Sequence, residues 1–304
     1  MTPPDDFDPA IGDAETLEPG LRRIVAPNAS PMTYRGTNTY LLGDSDLAVI
    51  DPGPLDMAHL EAILRAVAPH QRISHIIVTH THIDHSPLAR PLADRCGAPV
   101  LAYGDATAGR SAIMTQLAQG GMVGGGEGID NSFVPDQTLN DGAEISANGW
   151  TLHALHTPGH IGNHLCLSWN DACFTADHVM GWASSLVSPP DGDLTEFMAS
   201  CHRLQSQTWR VFYPGHGAPV WDPRGRLSWL IDHRNAREAA ILRLLSDGPG
   251  NAETLARAIY TATPPALLGA ATRNVLAHLI DLMGKSTVSP VSNLHASVQF
   301  QRNS

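Results

Sequence analysis

Six consecutive residues, His80-Thr81-His82-Ile83-Asp84-His85, set three imidazoles and one carboxylate side by side. The stretch before them, Ile73-Ser74-His75-Ile76-Ile77-Val78-Thr79, has the apolar content of a buried strand. A strand end running into a loop can fan alternate side chains toward one point. His80 and His82 would approach it from one side, Asp84 and His85 from the other. Two histidines at spacing two are ordinarily surface groups or satisfied core residues. Four ligand-type residues after an apolar strand point instead to a metal, and imidazole with carboxylate suits zinc, iron or manganese.

The chain has 304 residues, enough for one large domain or two ordinary ones, and 42% are hydrophobic, enough for a substantial core. No run reaches the roughly 18 apolar residues of a membrane span. The start, Met1-Thr2-Pro3-Pro4-Asp5-Asp6, is acidic and Pro-rich and lacks the pattern of a signal peptide, so the expected location is cytoplasmic, with no membrane contact. Cys96, Cys166, Cys173 and Cys201 form no C-x-x-C pair and are expected as reduced thiols. The net charge of −11 is uneven: residues 1–224 carry 11 basic and 25 acidic groups, and residues 225–304 carry 8 and 5. An acidic body argues against broad nucleic-acid binding, which needs Lys and Arg to displace counterions. The basic C-terminal portion keeps a local version open.

Strand and helix signals alternate from Leu21 to Ala102, which predicts an α/β class. Residues 1–20 read as a mobile N-terminus, 21–224 as a catalytic domain, 225–295 as a small helical domain and 296–304 as a tail. Within the last region, helices are expected over 227–245, 252–259 and 276–283, with a short apolar element at 287–291. Residues 104–136 contain the Gly-rich run 119–128, which reads equally as a lid or as plain disorder.

Three more strand ends supply ligand-type residues: His156-Thr157-Pro158-Gly159-His160, Phe174-Thr175-Ala176-Asp177 and Tyr213-Pro214-Gly215-His216-Gly217. Pro-Gly ahead of His160 and His216 suits a tight turn. With these in order after residues 80–85, the chain resembles the metallo-β-lactamase superfamily over roughly residues 20–222. The resemblance implies an αββα sandwich with its site at one edge of the two sheets, and two divalent metal ions, expected as zinc with iron or manganese possible. It implies that His80, His82 and His160 hold one metal, that Asp84, His85 and His216 hold the other, and that Asp177 bridges them. Asp84 would also orient or deprotonate the attacking water. Asp51, in Val49-Ile50-Asp51-Pro52-Gly53, would buttress the metal loop without binding metal. His164 and His178 flank ligands and are candidates for donors behind them or for substrate contacts. His75, His153 and His156 read as structural. Ser86-Pro87 stands where the family often has Gly-Gly, and Asp177 disfavours the branch that uses a Cys ligand.

Residues 225–292 have a resemblance of their own. His233-Arg234-Asn235-Ala236-Arg237-Glu238, Ile259-Tyr260 and Asn274-Val275-Leu276-Ala277-His278-Leu279 look like the winged-helix tail of lactamase-β-like 2 proteins. The segment Arg35 to Leu41 resembles that group near its active-site rim, which makes Asn38 a candidate substrate or supporting contact. The function implied is a binuclear metal-dependent hydrolase acting through a metal-bridging hydroxide on a small ester, thioester or lactone. Cleavage of single-stranded RNA is the alternative, and a non-hydrolytic di-iron protein the alternative of another class. A small-molecule substrate is favoured over RNA by the acidic body, and a homodimer is possible through the winged helix.

Overall fold

Alternating apolar residues build two sheets that share one core. A computed structural model of the chain describes residues 7–126 and 128–303. The first sheet runs β1 (Glu15–Glu18), β2 (Leu21–Val25), β3 (Asn38–Leu42), β4 (Asp46–Ile50), β5 (Arg72–Ile77), β6 (Val100–Ala102) and β7 (Gln137–Thr138), in that spatial order. It is antiparallel up to β4 and parallel beyond. The second sheet contains β8 (Glu144–Ala147), β9 (Trp150–His156), β10 (Leu165–Trp169), β11 (Ala172–Ala176) and β12 (Val211–Pro214). Only β11 and β12 pair in parallel there.

Parallel neighbours need crossover connections, and helices supply them. These are α1 (Met57–Arg65) between β4 and β5, α2 (Ala89–Cys96) between β5 and β6, α3 (Ala112–Gln119) between β6 and β7, and α4 (Leu194–Gln205) between β11 and β12. Between the sheets, Leu21, Tyr40, Ile50 and Ile77 share one cluster with Leu152, Leu165, Phe174 and Tyr213. Leu60, Ile63 and Leu92 of α1 and α2 cover the outer face of the first sheet. Phe197 and Leu204 of α4, with Leu227 and Leu230 of α5 (Pro223–Leu245), cover the second. The result is the four-layered αββα sandwich that the sequence resemblance implies.

The C-terminal part adds α6 (Ala252–Ile259), α7 (Leu268–Gly284) and the antiparallel pair β13 (Val288–Pro290) and β14 (Phe300–Arg302). Helix α5 belongs to both units. Its first half packs on the sandwich, while Ile241 and Leu245 enter the C-terminal core with Leu255, Val275, Leu279 and Phe300. Asp222 caps α5 by accepting from the Gly225 N–H, and Pro223 occupies the first turn, where a missing N–H costs nothing.

Several expectations need correction. Residues 15–18, read as part of a mobile terminus, pair with β2, and the buried Phe7 stacks on Tyr34 with the Arg23 guanidinium over its ring. The first six residues of that reading lie outside the described residues. Within 104–136, α3 goes beyond what the sequence pattern predicts. It is eight residues long, runs into the Gly-rich stretch, and is held by a Ser111 cap and by burial of Met114 and Leu117 in the C-terminal core. The glycines beyond it are tied down as well: the Gly125 N–H donates to Ser188 Oγ at 2.9 Å, and Arg273 donates to the Gly124 carbonyl at 3.2 Å. The 296–304 tail contributes β14, and α7 begins at 268 rather than 276. All four cysteines are free. Among the described residues, no helix is long and apolar enough to cross a membrane.

Candidate metal centre

Four strand ends deliver the ligand-type residues to one edge of the sandwich. His80, His82, Asp84 and His85 follow β5; His160 follows β9; Asp177 follows β11; His216 follows β12. All seven are buried, none more than 9% exposed. They fall into two groups. His80, His82, His160 and Asp177 form one, and Asp84, His85, Asp177 and His216 the other, with ligand atoms within 4.8 Å of one another in each.

Asp177 joins the groups by dividing its oxygens. Oδ2 lies 3.6 Å from His160 Nε2, whereas Oδ1 lies 3.3 Å from His216 Nε2 and 3.4 Å from His85 Nε2. Asp84 Oδ2 completes the second group at 3.2 Å from His216 Nε2 and 3.4 Å from His85 Nε2. In the first group, His82 Nδ1 is 3.0 Å from Nε2 of both His80 and His160.

The partners on the far sides of the rings set the tautomers. His160 Nδ1 lies 2.7 Å from the Leu186 carbonyl and His216 Nδ1 lies 3.2 Å from that of Gly36. A carbonyl only accepts, so each Nδ1 carries a proton and each Nε2 faces the centre. His85 Nδ1 donates to Asp51 Oδ2 at 2.9 Å. Thr79 Oγ1 donates its hydrogen to the same oxygen, so His80 Nδ1 donates to Thr79 Oγ1 at 3.0 Å. Carboxylate or carbonyl support of this kind orients metal-ligating histidines and raises their basicity.

Asp51 therefore touches the loop rather than the centre. Its oxygens accept from the Thr79 N–H, Thr79 Oγ1 and His85 Nδ1, although it is close enough to His80 and His85 to group with them. Its backbone takes a positive φ of 51°, a conformation Asp tolerates better than bulkier residues.

Electrostatics divides the two groups. Burial holds His80, His82 and His160 below the ordinary histidine range, with neighbouring imidazoles adding to it for the first two, and His82 is pushed down to about 3. Burial also opposes charge on His85 and His216, but Asp84 and Asp177 outweigh it, raising His216 to about 10. The same contacts overcome the burial of Asp84 and Asp177 and hold both carboxyls well below the usual range. One group thus offers three lone pairs, and the other a charged square whose protons a divalent cation can replace.

The donor set fits metal. Nitrogen ligands about 2.0–2.1 Å from a tetrahedral cation lie roughly 3.3–3.4 Å apart, near the 3.0–3.6 Å spacings found here. Asp177 Oδ1 is buried, and no hydrogen bond among the described residues satisfies it. A side chain at position 215 would fill this space, since a Cβ there would lie 2.4 Å from Asp177 Oδ1 and 2.8 Å from His85 Cε1.

The remaining candidates sit behind the centre. Asn38 is fully buried and donates through Nδ2 to the carbonyls of Pro214 and Gly217, both at 2.9 Å, so it braces the His216 loop. His164 and His178 are also fully buried and do not line the cleft. His164 pairs with Thr157 Oγ1 at 3.0 Å and lies 5.2 Å, ring to ring, from His80; His178 faces Cys201 Sγ at 3.5 Å. His75 lies edge-on to Trp150, and His156 stacks on Tyr103.

The centre opens into a cleft of about 680 Å³ whose walls include Tyr34, Trp182, Leu186, Trp229 and Tyr260. Its far side comes from the C-terminal helices, which also reach the metal loops. The buried Arg234 of α5 donates to the Ser185 carbonyl and, at 2.9 Å, to Asn274 Oδ1 of α7. Asn274 Oδ1 accepts from the Val187 N–H at 3.1 Å. Residues 185–187 thus hang from the C-terminal helices while Leu186 holds His160 and Ser185 Oγ donates to the Asp177 carbonyl. The sequence places Arg234 and Asn274 only in a winged-helix tail; the sign available there is a polar pair on otherwise apolar helix faces.

The sequence model of the metallo-beta-lactamase superfamily matches residues 32–232. The chain belongs to that superfamily. A beta-lactamase associated winged helix domain matches residues 252–289 of this superfamily member. An atrochrysone carboxyl ACP thioesterase of Aspergillus fumigatus is 30% identical over 270 residues, covering 86% of this chain and 76% of the relative. A beta-lactamase-like protein 2 homolog of Drosophila melanogaster is 30% identical over 288 residues, covering 90% and 91%. Among solved structures, a beta-lactamase domain protein from Burkholderia ambifaria superposes with a TM-score of 0.80 at 21% identity, covering 98% of this chain and 96% of that one. A metallo-beta-lactamase family protein from Thermus thermophilus gives 0.74 at 25% identity, covering 95% and 100%. Membership of the superfamily, with the two buried His and Asp groups, supports a metal-dependent hydrolase.

Proposed function

We propose that the chain is a binuclear, zinc-dependent thioester hydrolase. The observation that carries the reading is the division of the Asp177 carboxylate, Oδ2 toward the His80, His82 and His160 group and Oδ1 toward His85 and His216. His80, His82 and His160 would hold one cation, and Asp84, His85 and His216 the other, with Asp177 shared. An all-imidazole and carboxylate set without thiolate suits zinc, while leaving iron and manganese as variants of the same chemistry. When bound, two divalent cations lower the pKa of water and polarise a carbonyl oxygen.

The chain's own groups do the rest. Asp84 lines the cleft and is ionised, so it accepts a hydrogen bond from the attacking water and aims it at the carbonyl carbon. The water oxygen bonds to that carbon, the carbon–sulfur bond breaks, and the thiol leaves with a proton. Tyr34, Trp182 and Trp229 line the cleft and give it an apolar wall for an aromatic or other apolar acyl group. The names of the thioesterase relatives favour the thioester over an ester or lactone. RNA has less support, because Arg237 is the only Arg or Lys among the described residues lining the cleft.

The test is a paired screen on zinc- and manganese-loaded protein, with aryl thioesters, oxygen esters, lactones and β-lactams in one arm and labelled single-stranded RNA in the other. Turnover of thioesters, abolished by chelation and restored by metal, is expected. Metal-dependent RNA cleavage with thioesters untouched would overturn the reading.

A further inference from the structure

Helix α5 turns three residues at successive helical spacings, Trp229, His233 and Arg237, toward the cleft. Trp229 and His233 stack at 4.9 Å, ring to ring. Arg237 lies over the Tyr260 ring, 4.6 Å from its centroid. Arg237 differs from the other partly or fully buried arginines of this helix. Arg226 donates to the Ala183 carbonyl, and Arg234 to the Ser185 carbonyl and Asn274. Arg237 has no acceptor and no carboxylate partner among the described residues, and its Nε is buried.

A guanidinium held over an aromatic ring, with no acceptor among the described residues, is available to a planar or tetrahedral oxyanion. The carboxylates of the cleft, Asp84 and Asp177, belong to the metal groups and face imidazoles. The cleft therefore holds, besides the His and Asp groups, one guanidinium on the C-terminal helices that belongs to neither of them.

We propose that Arg237, backed by Tyr260, is an anion-binding subsite that holds a carboxylate or phosphate carried by the substrate away from its reacting carbonyl. The subsite selects for substrates with that charge. It rests on the thioesterase reading only for the identity of the substrate, which fixes two sources for the anion: a carboxylate on the acyl group, or a phosphate on the departing thiol. Its position on α5 makes the C-terminal module a specificity element of the cleft.

The test reads binding, separately from turnover, on the metal-loaded protein. Trp182 and Trp229 line the cleft and serve as fluorescent reporters. Two matched pairs are titrated: 2-naphthoate with 2-naphthamide for the acyl source, and pantetheine 4′-phosphate with pantetheine for the thiol source. The wild-type protein is expected to bind one anionic probe at least about tenfold more tightly than its neutral partner. Arg237→Met should remove that preference and leave the neutral probe within about twofold, while Arg237→Lys retains part of it. Arg237→Gln serves if the methionine variant fails to fold. A preference unchanged in these variants places the anion on the metals and overturns the proposal, as does the absence of preference in both pairs. An Arg237-dependent preference in a protein inert toward thioesters would retain the subsite and sink the thioesterase reading instead.

Discussion

Arg234 of α5 donates to the carbonyl of Ser185, a residue whose own hydroxyl donates to the Asp177 and His178 carbonyls. A helix residue 49 positions away in sequence from Ser185 thus helps hold the residue shared by both metal groups. The next carbonyl along, that of Leu186, orients His160. The C-terminal helices are part of the frame of the metal centre.

Removing that anchor should loosen metal without unfolding the sandwich. Arg234→Met keeps an apolar stem but loses the donors and the guanidinium that lies over Phe197. Metal affinity is expected to fall roughly tenfold or more, as for other residues that orient ligands, measured by competition with a chromogenic chelator. Unchanged affinity in a folded variant would remove the C-terminal helices from the metal frame.

Asp51 supports two candidate ligand histidines at once, His85 directly and His80 through Thr79. Asp51→Asn should lower metal affinity by about 10–100-fold. Metal content after dialysis is the measurement. Full retention of two ions would show that ring orientation is set elsewhere.

Asp84→Ala should abolish hydrolysis, with kcat down about 10²–10⁴-fold, while circular dichroism stays native. Wild-type turnover in this variant would contradict the role assigned to Asp84.

Gly215→Ala tests the packing around the shared carboxylate. The added Cβ would meet Asp177 Oδ1 and His85 Cε1, and overpacking of this kind costs about 1–3 kcal/mol. Metal content should drop together with the melting temperature. A variant with native stability and two metals would show that the loop yields freely.

One pH effect lies away from the centre. Burial, with Asp193 beside it, raises the Glu196 carboxyl to about 7, and Glu196 Oε2 is buried without a partner. The folded state therefore binds this proton more tightly than the unfolded chain. Its contribution is fully present below about 4.3, the unperturbed carboxyl value, and is lost as pH rises through about 7. Partial exposure screens the effect to about 1 kcal/mol. Glu196→Gln should unfold at higher temperature than wild type at pH 8, with the gap closing by pH 4. A gap independent of pH would contradict the assignment.

Residues 80–85, with the turns carrying His160, Asp177 and His216, carried the family resemblance that implied the αββα class and the set of candidate ligands. The reason is local: strand ends followed by Pro-Gly turns or short loops allow few conformations, so ligand chemistry at those points survives in the linear pattern. What lies behind the ligands was not legible there. Asn38 reads as a rim residue, but its amide is committed to two carbonyls some 176 and 179 positions away. His164 and His178 read as possible substrate contacts and are sealed in the core. Helix α3 hid beside a glycine run, because its stability comes from burying Met114 and Leu117 against the distant C-terminal helices. Only the tertiary structure decided that α5 serves both cores, that Arg234 reaches the metal loops, and that Arg237 faces the cleft with no hydrogen-bond acceptor among the described residues. Those properties arise from long-range contacts, and hydrophobic periodicity and turn chemistry carry no record of which distant surfaces meet.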